Sequence, residues 1–284
     1  MQILLIFFLC ALATSKVTVQ SLFGKRNVKT ATDALFFNGL VFAFSAVIFL
    51  PGIGDLTPRT TFFGAIFGLL SVLFQLTYLK ALSTGAVSLT GMIVNLSMVF
   101  SIGVSVIVYH EPLTPFRIAG ILLTIVSFLV CTDFKPKEKL SSKWFLLASL
   151  ASLANGGIGV NQKIFSSAMD SSSMSYVSCG YLFACGISAV FFLVCRLRGE
   201  KITFALDYRP FLFAFLTGGI LGFFQFLNTY AVSVIDGTLL FPAYSGGGII
   251  MATLSGVLLF RDKLSGKQKI SLLGGFVAIL LMTL

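Results

Sequence analysis

Ten apolar runs, each about 20 residues long, follow one another along this chain and are joined by short polar connections. An apolar run of that length crosses a bilayer as one α-helix, because a helix satisfies its own backbone polar groups where no water can. The runs are 2–23, 33–51, 61–82, 86–109, 115–132, 144–166, 174–195, 210–233, 238–260 and 267–284. Turn-forming connections separate them, among them "PGIGDLTPR", "HEPLT" and "KPKEKLSSK". Only 11% of the residues are charged, against about 25% in a soluble domain. The fold class expected is therefore an all-α membrane protein of ten transmembrane helices, with the lipid bilayer as its partner.

The formal charge of +10 would suggest nucleic acid in a soluble protein. Here the basic residues sit in small clusters between apolar runs, so no nucleic-acid partner is expected. The five cysteines (10, 131, 179, 185 and 195) lie in or beside spans and form no C-x-x-C pair, which reads as small buried hydrophobes. With His110 the single histidine, neither a metal site nor a cofactor is expected. The first run has the small residues "ALATS" of a signal peptide but no positive charge at its start, so it is read as a span.

Sixteen of the 20 Lys and Arg fall in loops 1–2, 3–4, 5–6, 7–8 and 9–10, and three in the other loops. The positive-inside rule makes the first set cytoplasmic and turns both termini outward. The plasma membrane is the expected location.

The two halves resemble each other. "ALATSKVTVQ" (11–20) lies over "SLANGGIGVN" (152–161), and "SAVIFL" (45–50) over "SAVFFL" (188–193). "GLLSVLFQ" (68–75) lies over "GGILGFFQ" (218–225), and "HEPLT" (110–114) over "RDKLS" (261–265). The order is kept and the gaps fall in loops, so five spans are duplicated: residues 1–133, a basic linker 134–143, and residues 144–284. Because five is odd, the repeats cross in opposite directions. Inverted repeats place a transporter's solute site near the midplane, at their interface.

The stretch "YLKALSTGAVSLTGMIVNLSMVFSIGVSVIVYHEPLTPFRIAGILLTIV" resembles the end of an EamA-like half in the drug/metabolite transporter superfamily. In that family an acidic residue leads a turn into the last span of each repeat, where Glu111 and Asp262 stand here. The resemblance implies ten helices in two inverted halves and says almost nothing about the solute. Two departures stand out. Met98 and the glycines 246–248 occupy the region where relatives often carry a proline, and many relatives have cytoplasmic termini.

Polar residues inside apolar spans are candidates for a solute pathway or for interhelical hydrogen bonds. Gln75 and Gln225 are repeat mates, each seven residues beyond a mated glycine, Gly68 or Gly218. Lys16 is the basic residue clearly inside a span; Gln20 lies one turn on, with Asn161 as its mate. Asn95, Asn228 and Tyr244 add polar edges, as do Asn155, Tyr78 and Tyr230. Pro242, Gly246, Gly247 and Gly248 weaken the ninth span, either for close packing or to let it bend or unwind as a gate.

The reading that results is a transporter of a small organic solute by alternating access, with helices 5 and 10 as scaffold or as the face of a homodimer. Two alternatives stand beside it. A non-transporting scaffold differs in carrying no flux. An intramembrane hydrolase could use the G-x-G-D match at 52–55, but no second aspartate sits in a span to complete the pair.

Overall fold

The computed structural model describes the chain except residues 1, 85–86, 132–140, 168–171, 205–206, 261–264 and 284. Asp262 and most of the 134–143 linker thus lie outside the described residues. The described residues form α-helices and no strand. These are α1 (Gln2–Asn27), α2 (Ala31–Ile48), α3 (Pro58–Thr84), α4 (Val87–Asn95), α5 (Met98–Ile107), α6 (Pro115–Cys131), α7 (Ser142–Ser166), α8 (Ser173–Leu197), α9 (Tyr208–Val234), α10 (Gly237–Phe260) and α11 (Gly266–Thr283). They overlie the ten apolar runs, except that the fourth run is two helices. Gln2–Gln20, Pro58–Leu82, Leu89–Ile107, Ser173–Leu197 and Tyr208–Val234 are each long and apolar enough to cross a membrane, and Thr32–Ile48 and Pro115–Val130 are shorter apolar helices.

The polar connections cap the helices that follow them. Thr30 and Asp33 exchange side-chain and backbone bonds at the start of α2. Thr57 caps α3, Thr114 caps α6, Ser141 caps α7, Ser172 caps α8, and Ser265 with Gln268 caps α11. Each such cap contributes about 1 kcal/mol by pairing an amide the helix leaves orphaned. The G-x-G-D stretch lies in a short 3-10 turn, Leu50–Asp55, between α2 and α3.

Helix packing follows the repeat. Gly68 of α3 meets α8, where a Cβ would stand 2.5 Å from the Gly180 carbonyl and 2.9 Å from the Ala184 nitrogen. Its mate Gly218 of α9 meets α2, where a Cβ would stand 2.6 Å from the carbonyl of Val41, the residue aligned with Ala184. The last helices behave alike. Gly120 of α6 lies against Ala278 of α11, and Ser271 of α11 donates to the Ser127 carbonyl of α6 at 2.8 Å. Under the alignment of "HEPLT" on "RDKLS" these two contacts exchange. Contacts that swap in this way are what a pseudo-two-fold axis between two five-span repeats produces. Small residues let the backbones approach closely, which is how helices associate where lipid removes the hydrophobic drive.

The connections sort into two ends. Asp33, in the first turn after loop 1–2, accepts from the Thr203 amide at 2.7 Å and its hydroxyl at 2.6 Å in loop 7–8. At the other end loop 4–5 meets loop 8–9, and Arg59 beside loop 2–3 donates to the Ile164 carbonyl near the end of α7. The basic loops 1–2 and 7–8 therefore share one end, as the charge pattern requires.

Candidate functional site

The fourth span breaks at its middle. The Ser97 amide bonds the Val94 carbonyl, Val99 bonds Leu96 and Phe100 bonds Ser97, all one residue short of α-helical spacing. That shift frees the Ile93 carbonyl, which accepts the Ser152 hydroxyl of α7 at 2.8 Å. Asn155 of α7 donates to the Ser97 hydroxyl at 2.7 Å, and Gly156 lets α5 come close. Irregular backbone at membrane depth persists where protein supplies partners or a cavity gives access to water. Here α7 supplies them.

About two helical turns on, α7 meets α9 through amides. The Gln162 Nε2 donates to Gln225 Oε1 at 2.8 Å and to Thr229 Oγ1 at 3.1 Å, while Asn228 Nδ2 donates to Gln162 Oε1 at 2.9 Å. Asn228 Oδ1 is buried without a hydrogen-bond partner. Sequence reasoning named Gln225 and Asn228 but missed Gln162, which is buried and holds the network together. The available signal was spacing: Gln162 follows Asn155 by seven residues, which puts both on one face of α7.

The other candidates disperse over several contacts. Asn161 Nδ2 donates to the Phe63 carbonyl of α3 at 2.9 Å and to the Tyr176 hydroxyl of α8 at 2.8 Å, so it joins helices. Gln20 donates to Asn38 of α2 at 3.3 Å. Gln75 is buried in α3 and bonds no described residue, unlike its mate Gln225. Asn95 is exposed at the break between α4 and α5. Lys16 is half-buried at the middle of α1 and has no ion-pair partner among the described residues.

Pro242 and Gly246–Gly248, read as serving close packing or as letting the ninth span bend or unwind, lie in α10, which is helical through all four. The break lies instead in the repeat-mated fourth span. Tertiary contacts hold α10 together: Gly247 faces Cys10 of α1, whose thiol reaches the Tyr244 carbonyl at 3.7 Å, and Gly246 faces Thr124 of α6. Tyr244 also sets its ring 5.7 Å from Phe224 of α9. Nothing lies within 4 Å of a Cβ built at Gly248.

A polar clasp closes the end that holds loops 4–5 and 8–9. Glu111 pairs with Lys163 of α7, and its second oxygen accepts the Thr238 amide at the start of α10 at 3.0 Å. Arg117 reaches Asp236 at 2.9 Å, Thr238 Oγ1 at 2.8 Å and the Pro112 carbonyl at 2.9 Å. Lys163 also lies 5.4 Å from the Tyr109 ring centre. Burial pushes the Glu111 carboxyl up, but the Lys163 ammonium and the Thr238 and Gly237 amides outweigh it and hold the group below the usual carboxylate range. Its partner is the cation near the end of α7.

Two five-span repeats, related by exchanged contacts and carrying polar side chains within their spans, define a multi-pass helical membrane protein of the transporter class. Residues 2–132 match the family model of the EamA-like transporter family, within the drug/metabolite transporter superfamily. The family points to a membrane transporter of small solutes and not to an enzyme. A solved structure described as "Crystal structure of protein" is similar over 100% of this chain and 98% of its own, with a TM-score of 0.77 and 16% identity. That likeness is one of fold. No curated protein matches the sequence.

Proposed function

We propose that this protein moves a small organic solute by alternating access, along a path between residues 1–133 and 144–284 taken as two inverted repeats. The faces of α1, α3, α4–α5, α7, α9 and α10 line that path, in the plasma membrane. One observation supports this most: amides and hydroxyls from α4–α5, α7 and α9 meet inside the spans, beside the broken fourth span. Lys16, Gln20, Gln75, Asn95, Asn161, Gln225, Asn228 and Tyr244 are the proposed pathway residues, joined by Gln162. Gly68, Gly218 and Gly247 serve close packing. The Glu111 clasp holds one end shut in this conformation, and the other access state requires it to part.

The test is flux in sealed vesicles holding the purified protein and a metabolite mixture. Saturable, protein-dependent loss of some component is expected, reduced at least tenfold in Gln162→Leu. Folded protein that passes no component leaves the scaffold alternative standing instead.

A further inference from the structure

Lys16 sits within α1, seven residues from the end of the apolar run at Phe23 and 14 from its start at Gln2. At 1.5 Å per residue those ends are about 10 Å and 21 Å away. An extended lysine side chain spans only about 6 Å, so its ammonium cannot reach either membrane face. Polar groups at such depth face a bundle interior or a watery cavity, and charged ones pair.

Among the described residues no carboxylate pairs with it. All ten Asp and Glu fall in connections or at helix ends. On α2, which α1 meets through side chains, Asn38 stands level with Gln20. Asp33 lies five residues from Asn38 toward the basic end, and Lys16 lies four residues from Gln20 the other way. The axial gap is therefore about 13 Å. Asp33 is in any case committed to the Thr30 and Lys29 amides and to Thr203. Glu111, at the opposite end, is committed to Lys163. Lys16 nevertheless keeps partial exposure, as a group on a solute path would.

Building on the transport path proposed above, we infer that the solute is an organic anion, bearing a carboxylate or phosphate, and that the Lys16 ammonium is its counter-charge inside the membrane. The pairing serves both sides. The solute's charge would resist entering a low-dielectric path, and the lysine's charge is already there without a mate. A cationic solute would meet repulsion at the same point. Gln20, one turn away, is bonded to Asn38 and steadies this stretch of α1 against α2.

The test loads sealed vesicles with a metabolite extract of known composition and identifies by mass spectrometry which components leave. Compounds that leave from the wild type should be anionic at pH 7. Lys16→Gln should slow their loss at least tenfold and Lys16→Arg should keep most of it, with both variants holding the wild-type thermal midpoint within a few degrees. A shared loss of stability in Lys16→Gln and Lys16→Arg would overturn the inference, since lysine would then be a packing residue. Neutral or cationic compounds leaving at a rate that Lys16→Gln does not change would also overturn it, while transport itself would stand. If nothing leaves from folded wild-type protein, the transport reading fails, and this inference with it.

Discussion

Gly247 is the position where a single methyl group separates close packing from gating. A Cβ built there comes inside 3.0 Å of the Cys10 sulfur, while the Cys10 Cβ lies at 3.5 Å and Ile279 Cδ1 at 3.8 Å. Gly247→Ala gains about 1 kcal/mol of helix propensity. Against this stands overpacking of about 1–3 kcal/mol, because the buried thiol has little room to move. The single variant should therefore come out between neutral and about 2 kcal/mol less stable. Cys10→Ala alone removes the sulfur and its weak bond to the Tyr244 carbonyl, and should cost about 1 kcal/mol. Combined, the new methyl occupies the space the sulfur left, and the ordinary contacts at 3.5 Å and 3.8 Å remain. The double variant should match or exceed the wild type, giving a coupling energy of about 2 kcal/mol. Thermal unfolding of the four proteins in detergent measures it. Additive effects would show that α1 and α10 do not touch at this pair, and would refute the packing argument. If stability is restored but flux is not, the glycine serves the transport cycle as well as the contact.

Three further outcomes follow from the same geometry. Gly68→Ala and Gly218→Ala each drive a methyl into a backbone carbonyl that cannot step aside, so both should lower the thermal midpoint by similar amounts; a harmless change at either would break the repeat symmetry. Gly248→Ala meets open space and should raise stability by about 1 kcal/mol, so a fall in flux there would mark loss of backbone freedom, and unchanged flux would remove Gly248 from any gate. Glu111→Gln leaves the Lys163 ammonium without its carboxylate and should cost about 3 kcal/mol, the lower end for breaking a buried pair. Because the folded-state pKa of Glu111 is lowered, its contribution is full above about pH 4.3 and is lost as pH falls through the folded value. Acid should therefore narrow the gap in thermal midpoint between wild type and Glu111→Gln, and a constant gap would show that the carboxylate is not paired.

Helix number and placement were legible in the chain because a bilayer imposes a length on every span and leaves polar residues only at turns and caps. The duplication was legible because Gly68 and Gly218, and the "SAVIFL" and "SAVFFL" segments, kept their places. Local propensity and the observed break point to different spans. Proline and three glycines marked the ninth span, yet contacts from Cys10 and Thr124 keep α10 helical, and the break falls at Asn95–Ser97, where no helix-breaking residue stands. Partners decide that outcome: Ser152 and Asn155 of α7 take up the freed carbonyl of Ile93 and the Ser97 hydroxyl, so breaking the fourth span costs few unsatisfied groups. The amide network was half visible for the same reason. Sequence marks which polar residues lie inside spans, but only the crossing of α7 with α9 decides that Gln162, not Asn161, holds Gln225 and Asn228. Lys16 is the opposite case, since the sequence alone places every carboxylate away from mid-span, and the fold adds that its position is not sealed. A linear chain records which groups must be satisfied, and tertiary packing decides by whom.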